Sequence, residues 1–185
     1  MAAPTREPDT REVKVPAGAL KQLVLRFGLA AGGACVLWMV GLQLTGSNGF
    51  GPKQILAQLL VPLAVVASQW LLRKAAKPNK PGLGASLGVG VLTALLAATI
   101  SAVGTVGLAY GAGAPAVARH RAEVLEIVQA QQHENPKAVA APAVQKQQVE
   151  QVQHMTVGNM ATSNFLQVLV LGLVLALPAG IFLRE

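Results

Sequence analysis

Charge is scarce in this sequence. Only 12% of the 185 residues are Asp, Glu, Lys or Arg, against ~25% in an average soluble domain. The chain is 52% hydrophobic, and residence in a lipid bilayer explains both figures. The net charge of +7 would suggest nucleic acid in a soluble protein. Here the basic residues stand beside apolar runs, so we expect no nucleic-acid partner.

Cysteine is almost absent too. The single Cys35 excludes any intrachain disulfide. The segment LAAGGAC, which ends at Cys35, is similar to a lipoprotein cleavage box. Gly32 stands where that box needs a bulky aliphatic residue, however, and the apolar run continues past Cys35 through VLWMVGL. A continuing run is typical of a membrane span rather than of a cleaved signal peptide.

Residues for catalysis are missing from the apolar stretches. Ionisable side chains inside spans usually mark ion or proton paths, and the central parts of these stretches contain none. His120, His133 and His154 lie outside the stretches and lack metal-ligand spacing. No nucleophile–base pair, phosphate loop or dinucleotide motif occurs. We therefore expect no enzyme, no catalytic residue, no cofactor and no metal site.

Long uncharged runs are what the sequence does contain. Between Lys80 and Arg119 lie 38 residues without a formal charge, whereas a helix of ~20 apolar residues crosses a bilayer. Similar stretches predict four spans at about 23–44, 54–72, 83–112 and 164–183. The predicted fold is an all-α integral membrane four-helix bundle. We expect residues 1–20 to be a flexible cytoplasmic tail and 21–185 to be one membrane domain.

The segment between the third and fourth spans, 113–160, is polar by comparison. Two weak apolar stripes, around 117–128 and 144–155, predict two helices, and Asn135-Pro136 with Pro142 predicts the break between them. The product is an exterior helical hairpin. Since 83–112 would be ~45 Å long as one helix, it must tilt, break near Gly104, Gly107 or Gly111, or project from the bilayer. We expect projection.

The second span carries a polar stripe. Gln58, Pro62, Val65 and Gln69 fall on one face of a helix, which should face protein rather than lipid. Interhelical hydrogen bonds are the favoured interpretation of the two intramembrane amides. A substrate path along the Gln58 and Gln69 face is the alternative.

Small residues recur at every fourth position in the third and fourth spans. Such ridges let helix backbones approach closely in a membrane. The ridge of the fourth span is able to meet that of the third. The predicted packing residues are Gly28, Gly32, Gly84, Gly88, Gly90, Ala94, Gly172, Ala176 and Gly180.

Basic residues are distributed unevenly about the spans. The two termini and the loop 73–82 hold ten Lys and Arg residues, and the opposite side holds five over a greater length. The positive-inside rule then predicts that both termini are cytoplasmic and that the hairpin lies outside.

Several features recur along the chain: Arg26-Phe27-Gly28 at the first span, the Gly-rich 82–90, Tyr110, Pro115 before a Gln/Glu-rich segment, and Arg184 closing the last span. In this layout the chain resembles the small bacterial membrane proteins grouped as domain of unknown function 4199. Ala114-Pro115-Ala116 departs from the pattern, because family members tend to have an acidic residue there. The resemblance implies a four-helix membrane protein of undetermined activity and supplies no site residue.

Together these features predict an integral protein of the bacterial inner membrane that acts as a structural or accessory protein. Its partners would be the lipid bilayer and either a second copy or another membrane protein, contacted through helix packing and the exterior hairpin. A small transporter or channel lined by Gln58 and Gln69 is the alternative function.

Overall fold

The computed structural model describes residues 17–77, 82–134 and 142–182, and every regular element in these ranges is a helix, which confirms the all-α prediction. Most of the predicted tail lies outside the described residues. The elements are α1 (Ala17–Leu44), a 3₁₀ turn (Pro52–Gln54), α2 (Ile55–Gln58), α3 (Leu60–Ala75), α4 (Leu83–Glu134), α5 (Pro142–Gln153) and α6 (Val157–Phe182).

Four helical segments are long and apolar enough to cross a membrane, and each overlaps one predicted span. They are Gly18–Leu44, Pro52–Ala75, Leu83–Gln132 and Val157–Phe182. The helix α4 packs against α1, α3, α5 and α6. It therefore forms the centre of the bundle.

The surface and the interior of the bundle are chemically unlike those of a soluble domain. Leu63, Val103 and Val170 are 61%, 66% and 56% exposed, whereas Gln69 and Thr93 are fully buried. Water would disfavour so large an apolar surface. A lipid environment accounts for both the outside and the inside.

The second membrane-length segment is interrupted at Leu59, between α2 and α3. Pro62 lies in the first turn of α3, where it has no N–H to donate to the carbonyl of Gln58, and its ring crowds that carbonyl. Leu59 nevertheless keeps right-handed helical angles, so the two helices continue in nearly the same direction. Pro62, which lies near the middle of the predicted span 54–72, thus marks the start of a helix.

The long helix α4 stays helical through Gly104, Gly107 and Gly111 and continues to Glu134, with one break two residues beyond Gly111. This break agrees with the alternative of a break near Gly111, and projection from the bilayer stays a prediction. The backbone of α4 leaves helical geometry at Gly113, with φ 76° and ψ 179°. Residues with a Cβ are strained there, so glycine fits this position. Pro115 follows at the start of the distal part, 114–134.

The distal part of α4 and helix α5 form the helical hairpin, and the predicted break falls on 135–141, outside the described residues. The two helices are in contact, with Gln132 Nε2 and Gln148 Oε1 3.4 Å apart. The next helix, α6, begins seven residues before the predicted span at 164. Thr156 caps it, since its Oγ1 accepts a hydrogen bond from the Asn159 N–H at 3.1 Å.

The small-residue ridges of α4 and α6 meet. A Cβ built on Gly172 would lie 2.6 Å from Cβ of Ala94, and one on Gly180 would lie 2.5 Å from Cδ2 of Leu87. Ala94 and Ala176 are fully buried, and Gly90 packs against the side chain of Gln69. Neither helix could carry larger residues here without separating from the other.

The glycines of the first span also allow close contact. A Cβ on Gly28 would lie 2.7 Å from the side chain of Leu96, and a Cβ on Gly32 would be equally close to Cβ of Ile100. Gly84 and Gly88 differ from the packing prediction, because a Cβ on either would meet nothing within 4 Å. They line an open apolar groove between the beginnings of α1 and α4. The spacing of small residues does not reveal whether a neighbouring helix has diverged.

Gly32→Ala and Gly33→Ala form a matched pair that tests this packing. The first should destabilise the bundle by about 1–3 kcal/mol, because its methyl group would overlap Ile100 and approach the carbonyl of Ala97 to 3.1 Å. The second should be neutral or stabilising, since a Cβ on Gly33 meets nothing within 4 Å. Unfolding in SDS, followed by maleimide labelling of the buried Cys35, measures both. Equal stability of the two variants would contradict the packing described.

Candidate functional site

The polar stripe of the second span is buried, as predicted. Gln58, Pro62, Val65 and Gln69 all face neighbouring helices. The Gln69 Nε2 donates to the backbone carbonyls of Ser86 at 3.2 Å and Ala176 at 3.0 Å. One amide therefore connects α3 to α4 and α6, which is the interhelical role favoured by the sequence.

The same geometry does not favour a substrate path. Gln58 is 1% exposed and Gln69 is 0% exposed, so this face is closed to solvent. The Oε1 atoms of both side chains are buried and have no hydrogen-bond partner within the part of the chain that the structure describes. The stripe is a structural contact in this conformation.

A second polar cluster lies at the hairpin end of the bundle. Ser101 Oγ donates to Oδ1 of Asn164 at 2.7 Å, and Nδ2 of Asn164 donates to Oε1 of Gln54 at 2.9 Å. All three side chains are buried. Because they come from α4, α6 and the 3₁₀ turn, the cluster fixes these three elements relative to one another.

The loop 45–51 is held to the distal part of α4 by Asn48. Its Nδ2 donates to Glu123 Oε2 at 2.6 Å and lies 3.1 Å from Nδ1 of His120, while its Oδ1 accepts from the Phe50 N–H at 2.9 Å. The rings of Phe50 and His120 also stack at a tilt, with centroids 5.8 Å apart. The loop and the hairpin base therefore form one connected unit.

Arg119 supplies a further connection between the hairpin base and this loop. Its guanidinium donates to the carbonyls of Gly46 at 3.3 Å and Ser47 at 3.1 Å and to the Gln43 side chain at 3.4 Å. Gly46 has φ 80°, a left-handed conformation that suits glycine. This turn is what directs the loop carbonyls towards Arg119.

The arrangement around Asn48 fixes the tautomer of His120. Since Asn48 uses Oδ1 for the Phe50 N–H and Nδ2 for Glu123, it presents a donor to His120 Nδ1, which must accept. The ring proton then resides on Nε2. Burial lowers the pKa of His120 below its ordinary value of 6.5, and the nearby Glu123 carboxylate opposes that shift. The neutral ring is the form that fits.

A cavity of about 240 Å³ lies beside these clusters, between the 3₁₀ turn, α4 and the beginning of α6. Its polar lining residues are Gln54, Thr105, His120, Glu123, Ser163, Asn164 and Gln167. Its apolar lining includes Phe50, Ile55, Ile127, Met155 and Met160. None of the predicted packing residues lines this cavity, and neither do the predicted intramembrane amides Gln58 and Gln69.

The three histidines do not come together. His120 is buried, His154 is exposed, and the side chain of His133 lies outside the described part of the chain. Among the described residues, no three His, Cys, Asp or Glu side chains are placed to hold a metal ion.

Sequence reasoning missed Asn48, Gln54, Asn164 and Glu123 as structural partners. Each is a common polar residue at the edge of an apolar stretch. Their hydrogen bonds join positions 63 to 110 residues apart, so local sequence spacing cannot predict them. The one available signal is that Asn and Gln at a span boundary need partners once they are buried.

The fold defines an all-α protein in which four helical segments are suited to a membrane and polar contacts join them inside. The chain belongs to the family of proteins of unknown function DUF4199, whose sequence model matches residues 26–185. No curated protein and no solved structure matches the chain.

Gln69→Leu tests the structural role of the stripe. Loss of two interhelical bonds, at ~0.6 kcal/mol each, should lower the free energy of unfolding by about 1 kcal/mol. Gln167→Leu is the control, since Gln167 is exposed on α6. Denaturation in SDS monitored through Cys35 compares them. An unchanged free energy of unfolding for Gln69→Leu would contradict a structural role for the stripe.

The pKa of His120 generates a prediction about pH. Because burial lowers that pKa in the folded state, the unfolded chain binds the proton more readily, and stability should rise with pH. The contribution is complete above the unfolded value of 6.5 and is lost as the pH falls below it. Protonated Nδ1 would also lose the Asn48 contact.

Unfolding midpoints between pH 5 and 8 check this for the unchanged chain and for His120→Gln. The amide oxygen of glutamine can accept from Asn48 at every pH, so the variant should lose most of the pH dependence. His154 is present in both proteins and cancels. Identical pH profiles would show that His120 is not the titrating group.

Proposed function

We propose that this chain is a non-enzymatic integral protein of the bacterial inner membrane that works as a structural or accessory protein through self-association of its hairpin. Both termini are then cytoplasmic and the hairpin is exterior. The uneven distribution of Lys and Arg about the spans supports this orientation.

The observation that carries the proposal is the thin packing of the hairpin. Within 144–153, Val152 is the buried residue, and Val144 remains 39% exposed. On the distal part of α4, Ile127 is 40% exposed. A helix as short as α5 is marginal in water unless tertiary contacts support it. A partner surface would supply the contacts that the monomer lacks.

The charge of the hairpin favours a second copy as that partner. The segments 114–132 and 144–153 contain three basic and three acidic residues, so their formal charges cancel, although the whole chain carries a net charge of +7. Two hairpins can approach without like-charge repulsion. The residues are Arg119, Arg121 and Lys146 against Glu123, Glu126 and Glu150.

The amides of the hairpin are complementary to themselves as well. Gln132 and Gln148 already pair across it, and other glutamines, among them Gln129 and Gln147, are exposed on its surface. An amide offers both a donor and an acceptor. The same surface can therefore bond to its own copy in a two-fold arrangement.

Cysteine crosslinking in native membranes tests this proposal. Val144→Cys in a Cys35→Ser background should form a disulfide-linked dimer under mild oxidation, because symmetric contact brings two copies of the same surface together. Leu37→Cys is the matched control, as Leu37 is 74% exposed on α1 and lies outside the hairpin.

A second variant tests whether apolar contact at the hairpin surface stabilises the dimer. Ile127→Gln with the introduced cysteine at 144 should reduce the dimer at unchanged expression. Monomer alone at position 144, or equal crosslinking at position 37, would refute hairpin self-association. Crosslinking of position 144 to a different membrane protein would replace the second copy with that partner.

A further inference from the structure

The cavity at the hairpin end contains hydrogen-bond donors that no side chain or carbonyl in the described ranges accepts. Gln54 accepts from Asn164 through Oε1, which fixes the amide and leaves its Nε2 N–H without a partner among the described residues. His120 accepts from Asn48 through Nδ1, which leaves its Nε2 N–H equally free. Both side chains are buried and both line the cavity.

These two donors are preorganised. Each side chain is held at its other polar atom by an amide that is itself bonded elsewhere, Asn164 to Ser101 and Asn48 to Phe50. Binding a ligand oxygen would therefore cost little side-chain entropy. A hydrogen-bond acceptor is the group that the donors select.

Acceptors line the same cavity. Glu123 lines the cavity and carries a carboxylate oxygen beyond the one that receives the Asn48 bond, and Ser163 and Gln167 line it on α6. A negatively charged ligand would meet this carboxylate, and a positively charged one would meet the two fixed N–H donors. An uncharged group that both accepts and donates, such as a hydroxyl, avoids both conflicts.

The size and the rim of the cavity indicate what is attached to that group. About 240 Å³ is below the ~300–1,000 Å³ of a site that encloses a whole small molecule. Ile55 lines the cavity and is still 44% exposed on the outer surface. Part of a ligand can therefore lie inside while an apolar part continues along the apolar outside of the bundle.

We propose that this cavity binds the hydroxyl head of an uncharged single-chain amphiphile, with Gln54 and His120 donating to its oxygen and the apolar chain leaving past Ile55. The proposed exit at Ile55 is not part of the hairpin surface at Val144 and Ile127, so the site does not depend on self-association.

Photocrosslinking with a dodecanol that carries a diazirine near its hydroxyl tests the proposal on the full chain in liposomes. Capture should be concentrated on residues that line the cavity, such as Ser163, Met160 and Gln167. Excess plain dodecanol should compete it away, while dodecylammonium and dodecanoate at the same concentration should not. This arm needs no variant and so no assumption about folding.

Two variants then distinguish hydrogen-bond donation by His120 from an unspecific effect of the helix surface. His120→Leu should lower capture about fivefold, the equivalent of one hydrogen bond of about 1 kcal/mol, and Gln129→Leu, on an exposed part of the same helix, should not change it. Capture spread over lipid-facing residues without competition would overturn the proposal. Equal competition by the charged analogues would overturn the ligand class, and unchanged capture by His120→Leu would overturn the donor assignment.

Discussion

The structure depends on how closely α4 approaches the other helices. In a bilayer an apolar side chain gains little by leaving lipid for another helix, so association rests on van der Waals contact and hydrogen bonding between close backbones. Ala94, Ala97 and Ala98 on α4 are fully buried. Gly172 from α6 and Gly32 from α1 approach this helix so closely that a methyl group would overlap it. Bulky apolar residues are correspondingly displaced to the outside.

Close backbones are also what bring the buried polar groups within reach of one another. Gln69 reaches carbonyls on two helices, and Asn164 connects Ser101 with Gln54. Such bonds are individually weak in a membrane, but they are directional and fix how the helices are rotated. At the hairpin end the same principle extends to the loop 45–51, where Asn48 and Arg119 connect it to the distal part of α4. The polar cavity forms where these rigid pieces meet without filling the space between them.

Much of the fold could be predicted because the relevant patterns are local. Uncharged runs give the positions of the membrane-length helices, and the 3.6-residue period places Gln58 and Gln69 on one buried face.

Other features of the fold could not be predicted from local patterns. The interruption at Leu59 and the conformation of Gly113 depend on how Pro62 and Pro115 are accommodated. The open groove at Gly84 and Gly88 depends on where a neighbouring helix diverges. The cavity residues lie far apart in the chain and are brought together by packing alone.

A bundle that carries its apolar residues outside must be surrounded by lipid. Alkaline carbonate extraction of membranes from cells that produce the full chain measures this directly. We expect the protein to stay in the membrane pellet after the wash and to enter solution only when detergent is added. Release into the carbonate supernatant, as a monodisperse species without detergent, would contradict this expectation.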